Sequence, residues 1–219
     1  MPITTKHIHA LIPANIIDTV HQLLNLLQRL HAFVEERRLQ GIYEVIEQSR
    51  TVTLHDPEGH VATVETVQKI RFRQNHVTTI SEYAWGEGEL FAQYHCSPGV
   101  PVDHYQEGSR QVALISLRAQ KNVGDTLTLR THRRILRGFT RDREYWENDV
   151  YHRTRKISLC IVFPRQRPCQ RATLSVRSTG QTVALGAHCY QTLPDGRQTL
   201  IWVCDKPQLH ERYLLSWAW

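Results

Sequence analysis

Residues 42–72 read IYEVIEQSRTVTLHDPEGHVATVETVQKIRF, and their periodicity decides the fold. Ile42, Ile46, Val52 and Leu54 share one parity, and Ala62, Val64, Ile70 and Phe72 share one face of a second run. Side chains that alternate with period two belong on half-buried strands. Between the runs, Asp56-Pro57-Glu58-Gly59 supplies turn residues, so the segment predicts a β-hairpin.

The same period continues downstream. Strands are predicted at 77–85, 89–95, 111–118 and 126–136, whereas Ser97-Pro98-Gly99-Val100-Pro101 predicts a loop. A second β set opens with Ile157, Leu159, Ile161 and Phe163 on one face and stops at Pro164. It continues with strands at 172–177 and 183–192, then a tight turn at Pro194-Asp195-Gly196-Arg197 leading into 199–204. Tyr213, Leu215, Trp217 and Trp219 alternate to the last residue and predict a closing half-buried strand. The charged stretch 140–152 (TRDREYWENDVYH) lacks alternation and reads as a linker or a short helix. With no βαβ alternation and no repeat, the fold class is mainly β, one antiparallel sandwich or a pair of them.

Upstream the period changes. Ile16, Val20, Leu23, Leu27, Leu30 and Val34 recur at heptad a/d spacing, and Ile17, Leu24 and Phe33 widen the stripe. Pro13 suits the start of a helix, and Arg37, Arg38 and Gly41 suit its end. About 26 residues make an amphipathic rod about 40 Å long. The expected organisation is this helix over 1–40, a first antiparallel β unit over 41–138 and a second, sandwich-like unit over 139–219. The two β units are either separate or share one core.

The composition agrees with an ordinary globular protein: 219 residues, 41% hydrophobic and 22% charged. That length can bury a core without disulfides. The five cysteines (Cys96, Cys160, Cys169, Cys189 and Cys204) are odd in number and scattered, which predicts reduced, buried thiols. No apolar run is long enough to span a bilayer and no secretory signal is visible, so a cytoplasmic protein is expected.

Charge is placed unevenly. The net charge is +6, yet residues 128–177 hold twelve Arg and one Lys against four acids, a local excess of nine. Arg130, Arg133, Arg134, Arg137, Arg141, Arg143, Arg153, Arg155 and Lys156 would form a basic β face, with Tyr145, Trp146 and Tyr151 interleaved. Alternation directs Arg130, His132 and Arg134 one way, and Arg133 and Arg137 the other. Cations with aromatics between them suit an acidic protein or a nucleic-acid backbone with stacked bases. The plain alternatives are a solvated sheet face and a GC-rich genome, since 22 of the 27 basic residues are Arg.

Catalytic signatures are sparse. There is no GxxxxGK[ST] and no GxGxxG, and Trp85-Gly86-Glu87-Gly88-Glu89 is too acidic for phosphate. His95-Cys96 and His188-Cys189 are adjacent pairs whose members point to opposite strand faces, so neither predicts a metal site, and no cofactor is implied. Cys96 has Asp103 and His104 across a Pro-rich loop, the one arrangement resembling a nucleophile beside its base. The reading that follows is a non-catalytic interaction module, not an enzyme: an adaptor, regulator or accessory subunit. It would dock a protein partner or a second copy through the helix seam, and an acidic partner through the basic face, away from membranes. The alternatives are a nucleic-acid-binding protein using residues 130–156 and a small Cys/His hydrolase.

Overall fold

A computed structural model describes residues 41–219 together with the single positions Leu23 and Leu26. The strands, in chain order, are β1 (Tyr43–Leu54), β2 (Val61–Phe72), β3 (Val77–Ala84), β4 (Glu89–Ser97), β5 (Val100–Glu107), β6 (Arg110–Lys121) and β7 (Thr126–Leu136). They continue with β8 (Arg143–Asp149), β9 (Lys156–Phe163), β10 (Arg171–Val176), β11 (Gln181–Ala184), β12 (Tyr190–Thr192), β13 (Gln198–Asp205) and β14 (Arg212–Ala218). A seven-stranded sheet is ordered β12-β13-β9-β1-β2-β7-β4, a four-stranded sheet β11-β10-β14-β8 and a three-stranded sheet β3-β6-β5. The chain is mainly β, in several sheets. The N-terminal helix and its seam of Ile16, Val20, Leu27, Leu30 and Val34 lie outside the described residues, Leu23 excepted, and gain no support here.

The hairpin forms as its alternation requires, pairing Tyr43 with Phe72 and Leu54 with Ala62. Asp56 closes the turn by accepting the N–H groups of His60 at 2.9 Å and Val61 at 2.7 Å. Its register slips between Val45 and Glu47. One extra residue reverses which parity faces inward. Tyr43 and Val45 are therefore buried before the bulge and Val52 and Leu54 after it, while Ile42 and Ile46 are only partly buried.

Three further departures from the sequence reading have physical causes. β1 runs parallel to β9, so the large sheet is mixed, and stretches 41–138 and 139–219 both contribute strands to it. The segment expected to be a loop at Val100 and Pro101 begins β5, at the edge of the three-stranded sheet, where a missing N–H is tolerated. The expected linker at 140–152 contains β8, whose buried residues are Glu144, Trp146 and Asn148. Two of those three are polar, which hides the alternation.

The inward face of the large sheet carries two apolar cores. One joins Val52, Leu54, Ala62, Val64 and Ile135 to the four-stranded sheet through Trp146, Ala172, Leu215 and Trp217. The other joins Tyr43, Val45, Ile70, Phe72 and Leu129 to the three-stranded sheet through Ile80, Ala113, Ile115 and Leu117. Each fully buried Leu, Ile or Phe contributes about 1.5–3 kcal/mol. The closing strand behaves as predicted, with Tyr213, Leu215, Trp217 and Trp219 all buried.

Candidate functional site

Between the two cores the inward face turns polar. On β2 the inward row runs Ala62, Val64, Thr66, Gln68, Ile70, Phe72, apolar at both ends and polar in the middle. On β1, Gln48 and Arg50 stand between Val45 and Val52, and on β7, Thr131 and Arg133 stand between Leu129 and Ile135. Register lays Arg50 beside Thr66 and Thr66 beside Thr131, so these side chains form one belt across three neighbouring strands. A cavity of about 180 Å³ lies over the belt, walled on other sides by Trp146 and Asn148 of β8 and Glu82 of β3. That volume has room for on the order of ten water molecules.

Arg50 is held in place by its own hydrogen bonds. Its Nε donates to Thr66 Oγ1 and its Nη1 to Asn148 Oδ1, both at 3.2 Å. Arg133 is not so held. It is 5% exposed, and its Nε and Nη1 have no hydrogen-bond partner among the described residues. Its nearest carboxylate oxygen, Glu82 Oε1, is 4.0 Å away, too far for a hydrogen bond. Glu82 instead accepts the Tyr94 hydroxyl at 2.8 Å. The guanidiniums of Arg50 and Arg133 both lie over the Trp146 ring, at 5.4 and 5.7 Å, and Arg133 also lies over Phe91 at 5.2 Å.

Two guanidiniums therefore share one carboxylate in a desolvated space. Burial pushes the Arg50 guanidinium down to about 10, with repulsion from Arg133 adding to the effect and Glu82 opposing it. Burial lowers Arg133 too, against the attraction of Glu82. Burial and the Glu82 charge push the Tyr94 hydroxyl far up, so it stays a donor. Acidic groups also line the cavity, but they are already engaged. Glu147 accepts from Trp85 Nε1 at 2.7 Å and pairs with Arg212 at 3.1 Å, while Asp149 takes Arg212 at 2.7 Å and the Tyr151 hydroxyl at 2.8 Å.

The nine basic residues expected to form one face are dispersed. Arg130 and Arg134 lie on the outward face of β7, whereas Arg133 between them faces the interior, a correction to its place on a surface patch. Arg137 and Arg141 lie in the connection to β8, where Arg141 pairs with Glu87, and Arg143 is exposed on β8 on the side away from Trp146. Arg153 is exposed, Arg155 pairs with Glu44 at 3.4 Å and Lys156 with Glu47 at 3.5 Å. Acids remote in sequence thus meet several of these cations, which a local charge count does not register.

The surroundings of Cys96 and His104 lend their pairing no support. The His104 ring packs against Phe91 at 5.4 Å and Tyr94 at 5.5 Å. Burial, then the Glu82 charge, pushes the Cys96 thiol up, opposite to what an activated nucleophile needs. Sequence reasoning missed Arg50, Glu82 and Asn148, and it places Trp146 among the aromatics of the basic face and not in a cavity wall. The available signal is a polar pair at inward parity in each of β1, β2 and β7, the last of which joins the hairpin only in the sheet.

No protein-family model matches the chain, and no curated protein matches its sequence. Its fold is similar to those of solved proteins at 11% identity. One is a variant M1 zinc metallopeptidase from Deinococcus radiodurans bound to a Tyr-Ser-Ala substrate, with a TM-score of 0.50, covering 80% of this chain and 42% of that one. Another is a proposed protease from Parabacteroides distasonis, with a TM-score of 0.50, covering 81% of this chain and 40% of that one. The chain spans about two fifths of the length of these proteins. At this identity the likeness establishes the fold alone, and that fold is peptidase-like. It overturns the expectation of a non-catalytic adaptor, regulator or accessory subunit and the expectation that the chain is no enzyme.

Zinc is the metal for which the first of these neighbours is named. Among the described residues, no three His, Cys, Asp or Glu side chains converge as a metal site. His210-Glu211 opens like the HExxH pattern, but Leu214 stands where the second histidine belongs, and the segment runs into strand β14, not a helix. The described residues do not fit a zinc centre; the feature they share with a binding protein is the polar cavity between the sheets.

Proposed function

We propose that this chain works in peptide hydrolysis as the β body of a peptidase-type protein, and that its interlayer cavity holds the peptide. The observation that carries the reading is the belt of partly buried Arg50 with buried Thr66, Thr131 and Arg133, facing Trp146 and Asn148 across an open space. A belt of this kind is costly in a core unless something uses it, because buried donors without acceptors destabilise the fold. A short peptide supplies what the walls lack: carbonyl and carboxylate acceptors for the donors and side chains for the aromatic surfaces. Tyr-Ser-Ala, the substrate bound by one structural neighbour, is a peptide of suitable kind. The five unpaired cysteines support a reducing, cytoplasmic setting.

Calorimetric titration of the full chain with Tyr-Ser-Ala tests the reading. Saturable one-to-one binding that is abolished by Trp146→Ala, with the melting temperature of the variant recorded alongside, is the expected outcome. A flat titration at millimolar peptide with folded wild-type protein would remove it.

A further inference from the structure

We infer that the cavity is built to take a carboxylate, held by Arg133 and Asn148 on facing walls. The inference rests on the peptide-binding reading only for the source of that carboxylate. The buried atoms without a hydrogen-bond partner among the described residues include, on residues lining this one cavity, Arg133 Nε and Nη1, Trp146 Nε1, Asn148 Nδ2 and Thr131 Oγ1. Arg133, Trp146, Asn148 and Thr131 are 5%, 8%, 4% and 6% exposed. The four nitrogens can only donate, and the Thr131 hydroxyl can donate or accept. The orientation of the Asn148 amide is settled by its neighbour, because Arg50 Nη1 donates to Oδ1 and a guanidinium cannot accept.

Four unmatched N–H donors complement a group made only of acceptors. A carboxylate offers about four lone-pair sites on two oxygens. Locally, the Arg133 guanidinium has Glu82 as its one ion-pair partner among the described residues, at 4.0 Å, while Glu147 and Asp149 share the single cation Arg212 elsewhere on the wall. A cation would be repelled by the Arg50 and Arg133 guanidiniums. A neutral carbonyl offers fewer acceptor sites to these donors. A ligand carboxylate can take several of them at once, and hydrogen bonds between ionised partners are the strong ones.

Two peptide groups could bring this carboxylate, the C-terminus and an acidic side chain. The full chain is titrated with Tyr-Ser-Ala, its C-terminal amide, Tyr-Ser-Glu amide and 3-phenylpropionate. The free acid is expected to bind at least about tenfold more tightly than the Tyr-Ser-Ala amide. Tyr-Ser-Glu amide matching the free acid would assign the site to an acidic side chain; failing to match it would assign the site to a C-terminus. Asn148→Asp provides the second arm. Its carboxylate still accepts from Arg50 and places a resident anion among the donors, so the melting temperature should hold or rise while free-acid binding falls at least about tenfold. A merely structural asparagine would lose stability and leave the acid-to-amide ratio unchanged. Equal binding of acid and amide overturns the carboxylate site and leaves the peptide reading standing. Binding of 3-phenylpropionate without any peptide does the reverse, and no binding by any probe overturns both.

Discussion

Replacing Glu82 with Gln isolates the charge at the centre of the cavity. The amide keeps the shape of the side chain and an oxygen to accept the Tyr94 hydroxyl, which donates at 2.8 Å in the wild-type chain. What it removes is the one carboxylate facing two desolvated guanidiniums. Glu82 and Arg133 side chains are 13% and 6% exposed and lie 4.0 Å apart. At that separation, with an effective dielectric of about 20, the attraction is about 4 kcal/mol. Removing one partner of a buried pair costs about 3–5 kcal/mol, because the other charge is left uncompensated. The long separation favours the lower end, so Glu82→Gln should destabilise the fold by about 3 kcal/mol. For a chain of this size that is a fall in melting temperature of roughly 6–12 °C. Urea titration followed by tryptophan fluorescence should show a lower midpoint with an unchanged slope. The difference should persist in added salt, since buried charges are screened weakly. A loss below about 1 kcal/mol, the range of an exposed pair, would refute the claim that the guanidiniums are desolvated.

Three other outcomes follow from geometry outside the cavity. Burial alone would raise the Glu44 carboxyl, but the hydrogen bond from Arg71 and the charges of Arg71, Arg73 and Arg155 hold it below its ordinary value of 4.5. A depressed carboxyl stabilises the fold above its unfolded value and ceases to as the pH falls through the folded one, so Glu44→Gln should be less stable than wild type at neutral pH and converge with it below about pH 4.5 in denaturation curves. Gly59 has a φ of +72° and a Cβ there would overlap the Phe139 carbonyl, so Gly59→Ala should cost at least about 2 kcal/mol, whereas Gly124→Ala, at φ +90° in open space, should cost only about 1–2 kcal/mol of backbone strain in the same thermal melts. Burial pushes the Cys96, Cys160 and Cys204 thiols up, and Cys169 up to about 11, so thiol reagents should label these slowly at neutral pH and label all five cysteines once urea unfolds the chain.

Strands with apolar inward rows were legible in the sequence, and the site was not, for one physical reason. Ile157, Leu159, Ile161 and Phe163 and the closing row from Tyr213 to Trp219 announce their faces because burial there is apolar throughout, and Ala62, Val64, Ile70 and Phe72 announce theirs from either side of Thr66 and Gln68. β8 announces nothing, since the residues it buries are Glu144, Trp146 and Asn148, and two of them read as surface. Arg133 was assigned its correct parity but the wrong environment, because a guanidinium on a strand is ordinarily solvated. The bulge between Val45 and Glu47 is equally silent, and it moved inward burial from Ile42 and Ile46 to Tyr43 and Val45. In each case the local pattern was read properly and a tertiary neighbour decided the matter. Local inconsistency of this kind is expected where a chain gives up stability for a site.

The crystal structure of the full chain soaked with Tyr-Ser-Ala bears most directly on the peptide cavity. The peptide should lie between β7 and β8, with a carboxylate oxygen about 3 Å from an Arg133 nitrogen and from Asn148 Nδ2. Peptide ordered only on the outward face of the large sheet, with Arg133 hydrogen-bonded to another protein group, would contradict the account.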